Sequence, residues 1–387
     1  MNIKELDQTY VANTYNRFPL QIVKGKGSVV EDESGKQYID LGTGIGVNNF
    51  GIGDEAWKQA VIDQMDKFQH TSNLYYTEPC ATLAQMLCER TGMKKVFFSN
   101  SGAEANECAI KAARKYAADH KGPEYQTIIT LTSSFHGRTI TTLAATGQDE
   151  LHQYFQPLTP GFVYAKANDL KDLEEKAAEN KVAGILFECV QGEGGVNALD
   201  AEFIAGIADL CAKEDILMMV DEVQLGNGRS GQLYGYMNFG LKPDIVSTAK
   251  GLCGGLPLGA TLLGEKLQDT LTAGTHGSTF GGNPICCAGA ISTISRIDEK
   301  LLAEVREKSA YIKESLTGKK GILGVSGMGL MVGVATEKSA AEVISGCLKK
   351  GVLVLNAHGK VRLLPALNIP MEQLKQAIDI LVEVCGA

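Results

Sequence analysis

Short, almost uninterrupted apolar runs alternate with longer amphipathic stretches between residue 55 and about residue 290. Such runs are typical of buried strands in a parallel sheet, and the stretches between them have the length and period of helices. The predicted strands cover residues 96–99, 128–131, 184–188, 216–221, 245–248 and 261–264, and the predicted helices include residues 103–119, 169–180 and 201–214. The alternation predicts an α/β fold with a large, mostly parallel sheet.

The two ends of the chain have a different pattern. Residues 27–40 contain two short strand-like runs around a Ser-Gly pair, which predicts a β-hairpin. Further along, the pattern predicts helix over 284–319, strands over 325–334, 351–355 and 361–364, and a final helix over 370–385. We expect residues 1–45 to join residues 286–387 in a smaller α+β domain, packed on a large cofactor-binding domain of residues 46–285.

Composition narrows the possible functions. The 387 residues carry a net charge of −8, so no basic surface is expected that would bind nucleic acid. The 10 cysteines include no C-x-x-C pair and the 6 histidines are scattered, so we expect reduced thiols and no bound metal. No signal-like apolar core and no run of about 18 apolar residues is present. These features predict a cytoplasmic protein with no membrane partner.

Three features fall at predicted strand ends, which is where α/β sheets carry their chemistry. Gly102 and Ala103 begin a helix after a tight turn and could bind a phosphate, although a plain strand–helix turn has the same pattern. Asp221 ends a buried strand, as a capping acid also could. Lys250 follows another strand, where burial would make its amine a nucleophile able to form a Schiff base; a surface lysine is the alternative. Together the three features fit pyridoxal 5'-phosphate.

The motifs of the chain resemble those of the class III aminotransferases, and most of all the acetylornithine aminotransferases. The resemblance runs from residues 14–19 to residues 362–365, and its main motifs are Asn100–Glu107, Phe135–Thr139, Gln191–Gly195, Asp221–Gln224, Lys250-Gly251 and Gly277–Pro284. It implies the aspartate-aminotransferase-like fold (fold type I of the pyridoxal phosphate enzymes). It also implies a homodimer with shared active sites.

The resemblance also implies roles for individual residues. Lys250 and Asp221 are the implied catalytic residues. The implied cofactor contacts are Gly102 and Ala103 to the phosphate, Thr279 to the phosphate of the neighbouring subunit, Phe135 stacked on the pyridine ring, Gln224 to the phenolic oxygen, Asp221 to the ring nitrogen and Lys250 to the aldehyde carbon.

Four more residues are implied in substrate binding. Arg138 would bind a substrate carboxylate, although it could instead brace charges in the structure, and Ser278 would lie close to the substrate. Arg362 matches the arginine that binds the α-carboxylate of glutamate, and Glu193 matches the acid that neutralises this arginine and moves aside for glutamate. A permanent surface ion pair is the alternative for the last two residues.

The resemblance implies transfer of the δ-amino group of N2-acetylornithine to 2-oxoglutarate in arginine biosynthesis. The expected products are N-acetylglutamate 5-semialdehyde and glutamate. Ornithine, succinylornithine and 4-aminobutyrate are the alternative donors, and related mutases and decarboxylases share Lys250 and Asp221. Gly44 stands where ornithine aminotransferases usually have a tyrosine, which favours a bulkier, acylated donor. A cofactor-binding protein without turnover is the alternative from another class.

Overall fold

The computed structural model describes residues 2–387. The helical segments are α1 (Ile3–Tyr10), α2 (Thr43–Gly46), α3 (Glu55–Met65), α4 (Glu78–Thr91), α5 (Gly102–His120), α6 (Ile140–Ala145), α7 (Asp149–His152), α8 (Leu170–Glu179), α9 (Ala201–Glu214), α10 (Pro284–Ser295), α11 (Glu299–Leu316), α12 (Ala340–Lys349) and α13 (Met371–Gly386). Within residues 2–387, no helix is both long and apolar enough to cross a membrane.

The strands form three larger sheets and one two-stranded ribbon within these residues. They are β1 (Ile22–Lys26), β2 (Val29–Asp32), β3 (Gln37–Asp40), β4 (Lys95–Ser99), β5 (Thr127–Leu131), β6 (Phe162–Ala165), β7 (Val182–Phe187), β8 (Val190–Gln191), β9 (Asn197–Ala198), β10 (Leu217–Asp221), β11 (Ile245–Thr248), β12 (Gly259–Leu263), β13 (Ile322–Met328), β14 (Met331–Thr336), β15 (Val352–Leu353), β16 (Leu355–Ala357) and β17 (Lys360–Leu363).

The largest sheet has seven strands in the order β4-β12-β11-β10-β7-β5-β6. The six strands predicted for it are confirmed. The edge strand β6 was not predicted. β12 is antiparallel to both of its neighbours. The connection over residues 249–258 explains this direction, since a parallel crossover needs about a dozen residues or more. The sheet is therefore mostly parallel, as expected.

Apolar side chains cover both faces of this sheet. Consecutive residues of a strand point to opposite faces, and Leu186 and Ile185 of β7 accordingly belong to two different clusters of buried side chains. On one face the sheet packs against α5, whose buried positions are largely alanine. These small side chains let the helix lie close to β11 and β12, which sets the start of α5 near the carboxyl ends of the strands.

The chain ends combine as predicted. β15 from the C-terminal part pairs in parallel with β3 from the N-terminal part. The predicted hairpin over 27–40 is confirmed as β2 and β3, and the segment 325–334 is itself a hairpin of β13 and β14. This shared sheet supports the division into residues 1–45, 46–285 and 286–387, which we propose for the domains. The last boundary falls inside α10.

Candidate active site

The carboxyl ends of the central strands border a cavity of about 390 Å³. Asn100 follows β4, Glu188 follows β7, Asp221 ends β10 and Ala249 follows β11, and all four line the cavity. Six of the eleven predicted site residues lie on its wall, namely Gly102, Ala103, Phe135, Asp221, Gln224 and Lys250. The structure therefore brings together the phosphate turn, the strand-end acid and the strand-end lysine.

The start of α5 offers free backbone donors to this cavity. Ser101 caps the helix and its Oγ accepts from the backbone N–H of Glu104 at 3.1 Å. The N–H groups of Gly102 and Ala103 have no partner within the helix, as in the first turn of any α-helix. A Cβ on Gly102 would lie 2.6 Å from Cγ1 of Val223, so only glycine fits at this point. The positive end of the helix dipole adds to the attraction for an anion.

Asp221 is held by three hydrogen bonds at the end of β10. Its Oδ1 accepts from the backbone N–H of Val223 at 2.9 Å. Its Oδ2 accepts from Nδ2 of Asn106 at 2.7 Å and from Nδ1 of His136 at 2.8 Å. The residue is 5% exposed and faces the cavity. Three donors, none of them a lysine or an arginine, fix the orientation of the carboxylate.

Lys250 lies just after β11 in a sparsely populated backbone conformation, with φ at 44°. Burial lowers the pKa of Lys250, while the negative charges of Glu193 and Asp221 oppose that shift. Among residues 2–387, Lys250 is the only lysine lining the cavity. A lowered pKa increases the fraction of neutral amine, which is the nucleophilic form.

Glu188 fixes the loop that carries Phe135. One carboxylate oxygen accepts from the backbone N–H of Phe135 at 3.0 Å and the other from that of Gly192 at 3.1 Å. Burial raises the pKa of Glu188 to about 7, an effect that the charge of Asp221 reinforces and that of His136 opposes. The ring of Phe135 is thereby held on the wall of the cavity.

Comparison with known families shows to which family the chain belongs. The model of the family described as aminotransferase class III matches residues 10–385. The chain belongs to the class III aminotransferases. The predicted family and fold are confirmed, and the cavity is that of an aminotransferase.

Individual relatives of this aminotransferase are similar over almost their whole length. An acetylornithine aminotransferase of Haemophilus ducreyi is 49% identical, over 99% of this chain and 98% of the relative. One from Aquifex aeolicus is 44% identical, over 97% of this chain and 100% of the relative. The solved ornithine aminotransferase of Toxoplasma gondii ME49 has a TM-score of 0.95 at 30% identity, over 99% of this chain and 94% of that one. The N-acetylornithine aminotransferase of Stenotrophomonas maltophilia K279a has a TM-score of 0.85 at 32% identity, over 98% and 97% of the two chains.

Class III aminotransferases use pyridoxal 5'-phosphate, and the cavity of this aminotransferase fits that group. Free N–H groups of Gly102 and Ala103 suit its phosphate, and Asp221 suits the proton on its ring nitrogen. Val223 lies so close to Gly102 that a side chain on residue 102 would clash with it and displace the turn that presents these N–H groups. Lys250 provides the amine that the aldehyde of the cofactor requires.

The predicted pair of Glu193 and Arg362 is present beside the cavity of the aminotransferase. Nη1 of Arg362 lies 2.6 Å from Oε1 of Glu193 and donates to Oε1 of Gln224 at 2.9 Å. Burial is the largest single effect and raises the pKa of Glu193, but the charge and hydrogen bond of Arg362, the charge of Lys250 and the hydrogen bond of Gln224 together lower the net pKa. Arg362 is only 2% exposed, so the alternative of a surface ion pair does not describe it. Gln224 connects the pair to the cavity wall.

Besides Glu193 and Arg362, three predicted residues of the aminotransferase lie outside the cavity wall. Oγ of Ser278 accepts from Nδ2 of Asn100 at 3.2 Å and so lies one contact away. Arg138 is exposed, with its guanidinium carbon 5.4 Å from the centre of the Phe135 ring. Thr279 is exposed and does not line the cavity of its own chain. A position of this kind is what a contact to the neighbouring subunit requires.

Two buried contacts of Asp221 were not predicted. His136, which was not among the predicted site residues, donates to Asp221 through Nδ1. Asn106 was not singled out at all. A signal for Asn106 existed, because it lies four residues after Gly102 on the same face of a helix whose other buried positions are apolar.

Proposed function

We propose that this aminotransferase transfers the δ-amino group of N2-acetylornithine to 2-oxoglutarate, giving N-acetylglutamate 5-semialdehyde and glutamate in arginine biosynthesis. The observation that carries the proposal is the 49% identity to an acetylornithine aminotransferase over nearly the whole chain. We place the enzyme in the cytoplasm, with small molecules as its substrates and with no nucleic-acid or membrane partner.

In this proposal Lys250 and Asp221 carry the chemistry. When bound, pyridoxal phosphate supplies a ring that accepts the electron pair left on the amine-bearing carbon. Nζ of Lys250 would hold the aldehyde carbon of the cofactor, and its amine would act as the base and acid that moves the substrate proton. Oδ1 of Asp221 would accept from the ring nitrogen and so keep a proton on it. The N–H groups of Gly102 and Ala103 hold the phosphate, and Phe135 covers the ring face.

The region of Gly44 supports an acylated donor. Gly44 has φ at 65°, a conformation that a tyrosine adopts only with strain. A Cβ placed there would meet its nearest neighbour, Nδ2 of Asn48, at 3.6 Å. Gly44 lies three residues before Val47 of the cavity wall, and an acylated donor would meet no side chain at residue 44, where ornithine aminotransferases usually carry a large one.

A panel of amine donors tests the proposed substrate. The purified enzyme is mixed with 2-oxoglutarate and, in turn, N2-acetylornithine, succinylornithine, ornithine or 4-aminobutyrate, and glutamate formation is measured. We expect N2-acetylornithine to give the highest kcat/KM. A higher value for any other donor would transfer the assignment to that substrate, and no glutamate from any donor would contradict the proposed reaction.

We also propose a homodimer with shared active sites. Large apolar side chains are exposed next to the cavity-bordering segments, notably Tyr75, Tyr76 and Phe280. Monomeric proteins rarely expose large clusters of this kind. The ring of His70 lies against the ring of Phe280, with ring centres 5.3 Å apart. The segments around residue 70 and residue 280 therefore belong to one surface. Thr279 lies on that surface and would reach the phosphate bound in the partner.

Thr279→Ala is expected to weaken cofactor binding although Thr279 does not line its own cavity. Loss of a hydroxyl donor to a charged acceptor costs about 1.5–3 kcal/mol, or roughly ten- to a hundredfold in Kd. Cofactor affinity is measured by fluorescence titration of the apoenzyme. Thr272→Ala, at another exposed threonine of the same region, is the control and should bind normally. Full cofactor affinity in a monomeric preparation of the wild type would contradict the shared site.

Glu193→Ala is expected to separate the two half-reactions. Without Glu193 the charge of Arg362 is exposed to the cavity, which favours the second carboxylate of glutamate and disfavours a donor that has nothing to pair with it. We expect the ratio of the glutamate rate to the acetylornithine rate to rise about tenfold, equivalent to about 1.4 kcal/mol. Stopped-flow absorbance of the cofactor follows each half-reaction separately. Glu193→Gln keeps the shape and removes the charge, so it should change the ratio in the same direction. An equal change in both rates would make Glu193 purely structural.

A further inference from the structure

A buried polar relay lies behind Asp221. Asn106, on the second turn of α5, is 1% exposed and does not line the cavity. Its Nδ2 donates to Oδ2 of Asp221 at 2.7 Å and to the backbone carbonyl of His136 at 2.8 Å. Its Oδ1 accepts from Oγ of Ser247 at 2.6 Å. The relay therefore joins a helix, two strands and the loop of His136.

The orientation of the Asn106 amide is fixed by its partners. A carboxylate oxygen and a backbone carbonyl can only accept, so the atom facing Asp221 and the carbonyl of His136 must be the NH₂ group. Both of its hydrogens are then used. The remaining Oδ1 atom faces the hydroxyl of Ser247, which can donate. A turned amide would place an acceptor against two acceptors, which strongly disfavours it.

These contacts distinguish the two oxygen atoms of Asp221. A carboxylate has about four acceptor sites in all, two on each oxygen. Oδ2 accepts from both Asn106 and His136 and so has both of its sites occupied. Oδ1 accepts only from the N–H of Val223 and has one site left. The oxygen with a free acceptor site is therefore Oδ1.

We propose that Asn106, held by Ser247, is a positioning residue that turns Asp221 so that Oδ1 accepts the proton-bearing ring nitrogen of the cofactor. This inference rests on the role proposed above for Asp221. Asn106 acts through Asp221 and has two effects. It fixes the rotation of the carboxylate, and it stabilises the charged form by one charge-assisted hydrogen bond.

Asn106→Leu tests this role, since leucine has a similar volume and no donor. We expect kcat to fall about ten- to a hundredfold and cofactor Kd to rise about tenfold. Because the carboxylate has one donor fewer on Oδ2, its contact with the ring nitrogen changes, and the pH profile of the absorbance of the bound cofactor should change with it. Ser247→Ala keeps both donated hydrogen bonds of Asn106 but leaves its Oδ1 without the hydroxyl partner, so it should give smaller changes in the same directions.

Thr261→Val is the matched control. The hydroxyl of Thr261 is buried and donates to the carbonyl of Ala105 at 2.7 Å, so its loss disturbs the same turn of α5 without touching Asp221. Thermal unfolding of each apoenzyme measures the loss of stability. If Asn106→Leu and Ser247→Ala give the same pH profile and the same cofactor Kd as Thr261→Val, the positioning role is wrong. The positioning role is also wrong if Asn106→Leu does not fold and Ser247→Ala has the same pH profile and cofactor Kd as Thr261→Val.

Asp221→Asn separates this inference from the function proposed for the site. If Asp221→Asn loses activity while the pH profile of the relay variants is unchanged, only the role of Asn106 is wrong. If Asp221→Asn retains full activity, the proposed role of Asp221 is wrong, and the inference about Asn106 is wrong with it.

Discussion

Lys250→Ala is expected to abolish turnover while the protein stays folded and still binds the cofactor. Among residues 2–387, no other lysine lines the cavity, so no second amine can replace it. A positioned acid–base group alone contributes about 10²–10⁴ in rate. Here the same side chain is also the nucleophile, so we expect a loss at or beyond the upper end of that range. The phosphate contacts at Gly102 and Ala103 do not involve Lys250 and remain.

Glutamate formation from N2-acetylornithine measures the loss, and the absorbance of the bound cofactor shows whether the site is filled. Lys250→Arg keeps a positive charge of similar length but has no nucleophilic amine, so it should be equally inactive. This control tests whether the positive charge alone, without the nucleophilic amine, sustains turnover. The replacement also keeps a side chain at a position with φ at 44°, so backbone strain is not relieved. Near wild-type turnover by Lys250→Ala would overturn the assignment of the active site.

Asp221→Asn is expected to lose about 10²–10³ in kcat, as removal of a fixed electrostatic group usually does. The amide has one acceptor oxygen, and two donors, Asn106 and His136, will hold that oxygen at the place of Oδ2. The NH₂ group then takes the place of Oδ1. There it opposes the N–H of Val223 and presents a donor instead of an acceptor to the ring nitrogen.

The effect of Asp221→Asn is measured as kcat and as the pH dependence of the absorbance of the bound cofactor. Asp244→Asn is a matched control. Asp244 also accepts a backbone N–H, that of Met218 at 2.9 Å, but it does not line the cavity. Its replacement should cost some stability and leave the absorbance unchanged. Unaltered activity of Asp221→Asn would show that the cofactor is oriented differently.

The sequence alone determined most of the fold and the centre of the site. Apolar runs identified six of the seven strands of the large sheet, because a strand covered on both faces must be apolar along its whole length. Lys250 and Asp221 stood out because charged groups at the ends of such strands are costly without a function. Family motifs then identified Glu193 and Arg362, whose contact the structure contains at 2.6 Å.

Only the tertiary structure decided how these residues are held. β12 runs antiparallel to its neighbours because the chain between residues 249 and 258 is too short for a parallel crossover, a property of connection and not of composition. Asn106 and Ser247 are 141 positions apart, and no periodicity relates them. Asn106 bonds to both Ser247 and Asp221 because α5, which carries Asn106, packs on the strands that carry Ser247 and Asp221. The local sequence pattern predicts burial and secondary structure. The partner of a buried polar group depends instead on which elements the fold brings together.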